Sequence, residues 1–316
     1  MKILVTGSGT LIGNTISTYL AKQKHKVIAS YNNTIPKNLN KVKNISVVKF
    51  DLKRKLNIKD KKIDVLVHCA SAIPSQSLSK KEMLEINYLG FKNLLKQSLK
   101  LKCKKIILLS TMSVYGKIKT NVISEQTSRN NQDSNGLSKF KMEQYLKKNS
   151  KKYNLNYAIF RLPGVIGYKS NHNFLSEKIK KIRNNEQIKI SNPNFLFNNV
   201  VHVKNLAIIV SESLRLENEK ATYNLGSNNK IKLKDILKLI YQILKKKPKI
   251  EIIKNKSKGF NINIKKILSK NYTLFDTEKS IRLFAKEHLY FLNKISFYVI
   301  NYNFVSYIFN IYSKLF

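Results

Sequence analysis

Residues 5–20, VTGSGTLIGNTISTYL, hold the first pattern that could do chemistry. Gly7, Gly9 and Gly13 follow an apolar run and open an amphipathic stretch. In a strand–turn–helix unit such glycines have mechanical roles. One makes the tight turn, one lets a pyrophosphate approach the backbone, and one lets the helix pack on the strand. The first helical residues, Thr10, Leu11 and Ile12, would present N–H groups and the positive end of the helix dipole to a phosphate. Together they form a candidate dinucleotide site.

A carboxylate is expected about 20 residues on, where it would hold the ribose 2′-OH of NAD. It is absent. The stretch KVIASYNNTIPK (26–37) offers Tyr31, Asn32, Asn33 and Lys37, and no Asp or Glu precedes Asp51. A 2′-phosphate would meet no repulsion there and Lys37 could approach it, so the cofactor reading leans to NADP over NAD. His202 sits in an apolar run and could be read as a base, but a buried histidine bonded to a carbonyl is the better reading. The five histidines form no ligand cluster, and Cys69 and Cys103 show no metal spacing. They read as reduced, buried thiols of a cytoplasmic protein. The N-terminus MKILVTGSG reads as a strand and turn, not as a signal peptide.

These residues need elements to position them. Near-continuous Val, Ile and Leu runs at 2–6, 26–30, 45–50, 64–69, 105–110 and 157–162 fit strands buried on both faces. Helical patterns at 12–24, 82–100 and 136–150 alternate with them. That alternation implies an α/β fold, a Rossmann-type doubly wound parallel sheet with ligands at the carboxyl ends of its strands. The expected units are residues 1–165 as the dinucleotide-binding domain, with its sheet completed by about 199–226, and 166–288 as a smaller C-terminal substrate lobe. In the second half, 173–184 and 232–247 read as helices, 199–203 as a short strand, and 222–227 as a strand and turn.

The 316 residues carry a formal net charge of +42, which at face value suggests nucleic acid or an anionic membrane. However, only six of the 60 basic residues are Arg, and the lysines are spread over the whole chain among many Asn and Ile. Phosphate and base readout favour Arg forks. The pattern therefore reads as coding bias with solvated lysines, and no nucleic-acid partner is expected. The last segment, 289–316, is rich in Phe, Tyr, Ile and Leu with a narrow polar stripe. Its polar residues argue against a membrane span. An interfacial membrane helix or a self-association surface is one reading, which would place the protein at the inner face of the membrane; a tail packed on its own domain or poorly ordered is the other.

Several motifs in order resemble the extended branch of the short-chain dehydrogenase/reductase superfamily, the NAD-dependent epimerase/dehydratase family acting on nucleotide sugars. TGSGTLIG resembles the glycine motif, with Thr10 where the family usually has Gly. In FDLK, Asp51 and the following Leu52 stand where the family contacts the adenine. VHCAS places Ala70 in the segment lining the cofactor. INYLGFKNLL resembles an Asn-x-x-Gly helix, with Asn87 bracing the active site. LSTMSVYG (109–116) resembles the fifth strand and gives Thr111 the catalytic Ser/Thr role. FRLPGVIG (160–167), NNVVHV (198–203) and YNLGS (223–227) fit as well.

In that family a Tyr and a Lys four apart on one helix face do the proton chemistry. The lysine stabilises tyrosinate and binds the nicotinamide ribose. Here DSNGLSKFKMEQYL (133–146) keeps Gly136, Leu137, Ser138 and Lys139, but Asn135 replaces the tyrosine. An amide does not titrate near neutral pH. Gly164 stands where the family usually has Asn, and Asn198 and Asn199 stand in place of an Arg-Asp pair. Three readings stay open. Another donor substitutes, Tyr115 first, or Lys139 or a Thr111-held water; or cofactor binding persists without turnover; or the chain is a degraded copy. The resemblance implies a nucleotide-sugar ligand, a role in polysaccharide biosynthesis, and a homodimer.

Overall fold

The computed structural model describes residues 1–72, 78–171, 173–253 and 259–290. Seven parallel strands form the central sheet: β1 (Lys2–Thr6), β2 (Lys26–Tyr31), β3 (Ile45–Lys49), β4 (Val65–His68), β5 (Lys105–Thr111), β6 (Asn156–Leu162) and β7 (Lys220–Asn224). Their order is β7-β6-β5-β4-β1-β2-β3. Every neighbouring pair is parallel. This is the Rossmann-type α/β sheet that the apolar runs implied. The strand order reverses between β1 and β4, and that reversal opens a crevice at their carboxyl ends.

Both sheet faces are covered, which is why the strands read as continuous apolar runs. Successive side chains of a strand point to opposite faces. Ile3 and Val5 pack with α1 (Leu11–Lys22) and with Leu206, Ile209 and Val210 of a later helix. Leu4 packs on the opposite face with Phe91, Leu94, Met142 and Leu146. That face is built by α2 (Lys80–Leu84), α3 (Gly90–Lys100) and α4 (Ser134–Tyr153). The expected single helix over 82–100 is interrupted: Glu85–Leu89 forms a π-turn between α2 and α3. A π-turn displaces one residue from the regular ladder, and such bulges are frequent at functional sites.

The second half adds α5 (Phe174–Arg183), α6 (Val203–Ser213), α7 (Leu233–Ile243), the short α8 (Lys265–Leu268) and a helix over 277–290. The helix over 277–290, α5 and α7 share their own core, with Ile179, Ile236, Ile240, Ile281 and Phe284 fully or almost fully buried. Short strand pairs stitch this lobe to the sheet. Gly164–Ile166 runs parallel to Val200–His202, and Val122–Ile123 runs parallel to Asn261–Ile262. Among the described residues no helix is long and apolar enough to cross a membrane. The tail reading concerned 289–316, of which 291–316 lies outside the described residues.

Candidate functional site

Gly7 turns the chain at φ +73°, a conformation glycine adopts without strain. Gly9 lies close to a second loop. A Cβ at Gly9 would lie 2.1 Å from the Thr34 carbonyl oxygen, so its bare backbone lets the loop after β2 fold onto the glycine turn. A second contact holds that loop, because Asn14 and Asn38 exchange two side-chain hydrogen bonds of 2.9 and 3.0 Å. Gly13 packs directly under the Gly7 carbonyl. Thr10 caps α1: its hydroxyl donates to the Gly7 carbonyl at 2.8 Å and accepts from the Gly13 N–H at 3.3 Å. The added side chain is thus spent on the turn itself. The N–H groups of Leu11 and Ile12 have no acceptor among the described residues. Two free donors at a helix N-terminus fit a pyrophosphate.

The adenosine end is less furnished. Asn32 and Lys37 are exposed, and no carboxylate lies on the loop they share. Asp51 turns one oxygen onto the Lys53 N–H at 2.9 Å. Leu52 is buried against Gly90, where a Cβ would approach it to 2.8 Å. Across the crevice, the Ala70 N–H reaches the Thr6 hydroxyl at 3.2 Å, as does that of Cys69. Burial pushes the Cys69 thiol up to about 12, so it holds no thiolate.

Asn87 sits on the π-turn and is buried. Its amide oxygen accepts from the Ala72 N–H at 2.7 Å, and its amide nitrogen donates to the Ala72 carbonyl at 3.1 Å and to the Ser138 hydroxyl at 3.2 Å. One side chain therefore ties the loop after β4 to α4. The start of α4 is fixed from the other side. Asp133 caps it through the Gly136 N–H at 2.6 Å, and a Cβ at Gly136 would lie 2.1 Å from the Ser113 carbonyl. The helix is docked on the 3-10 turn Met112–Tyr115 that follows Thr111.

Lys139 is 5% exposed, and its ammonium donates to the Leu109 carbonyl at 3.0 Å. Burial pulls its pKa down from the ordinary lysine value to about 8. Asn135 lies one turn before it, half-buried, and its side chain makes no hydrogen bond among the described residues. Thr111 lines a cavity of about 430 Å³ together with Ser113, Asn173, Phe174, Asn199 and Phe260.

Tyr115 corrects the sequence reading. It is fully buried, its hydroxyl donates to Asn224 Oδ1 at 2.6 Å, and it accepts from Arg161 at 2.8 Å. Arg161 in turn grips Glu143 through two bonds of 3.0 and 2.7 Å, and the Ser110 hydroxyl donates to Glu143 at 2.6 Å. Tyr115 is thus part of a closed internal network, and burial pushes its phenol above the ordinary range. It has no path to a ligand in the cavity. His202 is also buried, but its Nδ1 accepts from the Lys204 N–H at 3.2 Å rather than bonding to a carbonyl, and its Nε2 lies 3.4 Å from Glu287. It caps α6.

Residues 3–226 match the sequence profile of the NAD dependent epimerase/dehydratase family. The chain belongs to that family. It is 29% identical over 251 residues to a putative UDP-glucose 4-epimerase of Methanocaldococcus jannaschii, covering 75% of this chain and 81% of that one. Among solved structures, it is similar to the UDP-N-acetylglucosamine 4-epimerase of Methanobrevibacter ruminantium in complex with UDP-N-acetylmuramic acid. That match has a TM-score of 0.77 and 19% identity, over 91% of this chain and 98% of that one. It is also similar to the UDP-glucuronic acid 4-epimerase of Bacillus cereus in complex with NAD, with a TM-score of 0.76 and 19% identity over 91% and 96% of the two chains.

In this epimerase/dehydratase-family member Asn199 lines the cavity, and Asn198 beside it does not. Asn198, at the position of the expected Arg, is buried and exchanges hydrogen bonds of 2.9 and 3.0 Å with the Ile262 backbone. Asn199 donates to the Phe260 carbonyl at 2.8 Å, and its Oδ1 is buried with no partner. No charged side chain lines this cavity among the described residues. No sequence pattern pointed to the Phe260 segment. It is brought to the site by the pairing of strand Asn261–Ile262 with Val122–Ile123 and by the Asn198 and Asn199 hydrogen bonds. Glu143 was readable, since it stands four residues after Lys139 on the same helix face.

Proposed function

We propose that the protein binds a nicotinamide dinucleotide and acts, slowly, on the sugar part of a nucleotide sugar by reversible oxidation. Lys139 is the group that handles the proton. The observation carrying this reading is the geometry at the start of α4: Lys139 is buried there with its ammonium held on the Leu109 carbonyl at 3.0 Å, and burial lowers its pKa to about 8. A general acid or base works best when its pKa lies near the working pH. With Asn135 unable to titrate and Tyr115 sealed in the Arg161 network, Lys139 is the remaining titratable group positioned by the start of α4.

A bound dinucleotide would supply the hydride acceptor. The chain's own part follows from its geometry. The free N–H groups at the start of α1 hold the pyrophosphate, Lys139 holds the nicotinamide ribose, and Thr111 orients the substrate hydroxyl or a water. The uncharged cavity suits a sugar: phenyl faces pack on its C–H faces, and the unpartnered Asn199 oxygen accepts from a hydroxyl. Its diphosphate would lie outside this lining. The lack of a carboxylate after β2 favours NADP as the cofactor over NAD.

The test is dinucleotide binding followed by turnover with UDP-glucose, UDP-N-acetylglucosamine and UDP-glucuronic acid. Micromolar dinucleotide binding with slow product formation, both lost in Lys139→Ala, is the expected result. Turnover that survives Lys139→Ala would overturn the proton role of this lysine.

A further inference from the structure

A second cavity, of about 310 Å³, lies on the far edge of the sheet. It is lined from five segments: the loop carrying Glu125 and Arg129, Lys147 of α4, Tyr157 and Arg161 of β6, Lys220 and Thr222 of β7, and Lys266 of α8. The order of strands puts β7 four positions from β1, or about 19 Å at the usual strand spacing. This is a site separate from the dinucleotide crevice.

Its charge is unbalanced. Arg161 is neutralised by Glu143. Arg129, Lys147, Lys220 and Lys266 make no ion pair among the described residues, and Glu125 is the one carboxylate in the lining. A lysine cluster alone would be unremarkable in so basic a chain. Arginine is scarce, however, and two of the six arginines line this cavity. Burial and the neighbouring Arg161 push the Arg129 guanidinium down, and burial pushes Lys147 down.

Two buried polar atoms here lack a partner. The Arg129 Nε donor and the Thr222 hydroxyl have none, and Thr222 is 7% exposed. Each unsatisfied buried polar group needs an explanation, and an ion is one of the few available. The Arg129 guanidinium carbon already lies over the Phe140 ring, 4.7 Å from its centroid, a cation–π contact that restrains the side chain. Lys220 is held by Asn154 at 2.8 Å.

We propose that this cavity is a binding site for a phosphate-class oxyanion. The Arg129 Nε–H and the Thr222 hydroxyl donate to its oxygens, and Lys147 and Lys266 balance its charge. A guanidinium donor and a buried hydroxyl match a tetrahedral oxyanion better than a monatomic ion, which offers no oxygen geometry to read. Volume admits pyrophosphate or a small phosphate ester as well as inorganic phosphate. The site depends on neither the redox chemistry nor the dinucleotide.

The test is calorimetric titration at constant ionic strength with inorganic phosphate, pyrophosphate and glucose 1-phosphate, on the full chain saturated with NADPH. Saturation keeps these probes off α1. At least one probe should bind, and Arg129→Gln and Thr222→Val should each weaken it by tenfold or more, while Lys96→Gln on the remote exposed face of α3 should not. Thr222→Val changes few atoms, so it remains informative if Arg129→Gln destabilises the fold. Glucose 1-phosphate binding as tightly as phosphate would make the site one for a phosphate ester; phosphate binding alone would make it one for the inorganic ion. No binding, or equal affinity in wild type, Arg129→Gln and Thr222→Val, overturns the proposal.

Discussion

A tyrosine placed at position 135 should raise the rate. Asn135→Tyr places a phenol one helical turn, about 6 Å along the axis, before Lys139 and on the same face. The surrounding contacts are already in place. Gly136 is docked on the Ser113 carbonyl, Ser138 is held by Asn87, and the Lys139 ammonium sits 3.0 Å from the Leu109 carbonyl. Asn135 is half-buried and its side chain is unbonded among the described residues, so exchanging it breaks no internal hydrogen bond. A positioned general acid or base contributes roughly 10²–10⁴ in rate, or about 3–5 kcal/mol of barrier. The expected result is therefore a rise in kcat of that size with UDP-sugar substrates, at a dinucleotide Kd within a few-fold of wild type. The assay combines reduced-cofactor absorbance with chromatography of the sugar products. Asn135→Phe should give no gain, and Lys139→Ala should cancel the gain of Asn135→Tyr. A folded, dinucleotide-binding Asn135→Tyr protein no faster than wild type would refute the claim that the rest of the catalytic frame is intact.

Fluorescence titration should give a lower Kd for NADPH than for NADH, and Lys37→Gln should narrow the gap by about 1 kcal/mol or less, since Lys37 is exposed. Tighter NADH binding would sink the assignment. Tyr115→Phe removes a hydroxyl bonded to both Asn224 and Arg161, so urea unfolding should lose roughly 1–3 kcal/mol. Turnover per folded molecule should be unchanged; a selective loss of turnover would restore Tyr115 as a proton donor. Lys139 releases its proton near pH 8 when folded, whereas an ordinary lysine holds it to 10.5. Between those values the unfolded chain binds more protons, so this group's contribution to stability rises as pH climbs from about 8 to 10.5. The stability advantage of Lys139→Met over wild type should shrink by roughly 3 kcal/mol across that window, and a flat difference would show that the ammonium is not desolvated.

The sheet was legible because its physics is local. Strands buried on both faces must be apolar throughout, and six of the seven appear as such runs. Strand β7 was harder to read: KATYN carries a threonine and an asparagine, since Thr222 and Asn224 face polar groups rather than core. The small lobe was less legible. Its strands are two or three residues long and pair with partners far along the chain, such as Leu196–Phe197 with Ile231–Lys232. Strands that short carry too few positions for alternation to stand out. The contact of Gly9 with the Thr34 carbonyl was hidden for a related reason: Thr34 belongs to a loop whose path no spacing rule specifies. The burial of Tyr115 comes from a network spanning residues 110 to 224, which only the folded chain assembles.

The segment around position 135 separates two kinds of constraint. Gly136, Ser138, Lys139 and Glu143 each touch another part of the protein: the Ser113 carbonyl, Asn87, the Leu109 carbonyl, and Arg161 with Ser110. Changing any of them disturbs packing or leaves a buried polar partner unsatisfied, at a cost in stability. Asn135 is different, because its side chain bonds to nothing among the described residues. A residue whose partner is the ligand can change without harm to the fold. Folding requirements alone are then enough to keep Gly136, Ser138, Lys139 and Glu143 in place, and their presence measures the soundness of the frame rather than the rate of the reaction. What would distinguish a working site from a bare frame is a group that yields a proton to the ligand, and the group proposed for that role is Lys139, which lies behind the cavity lining rather than in it.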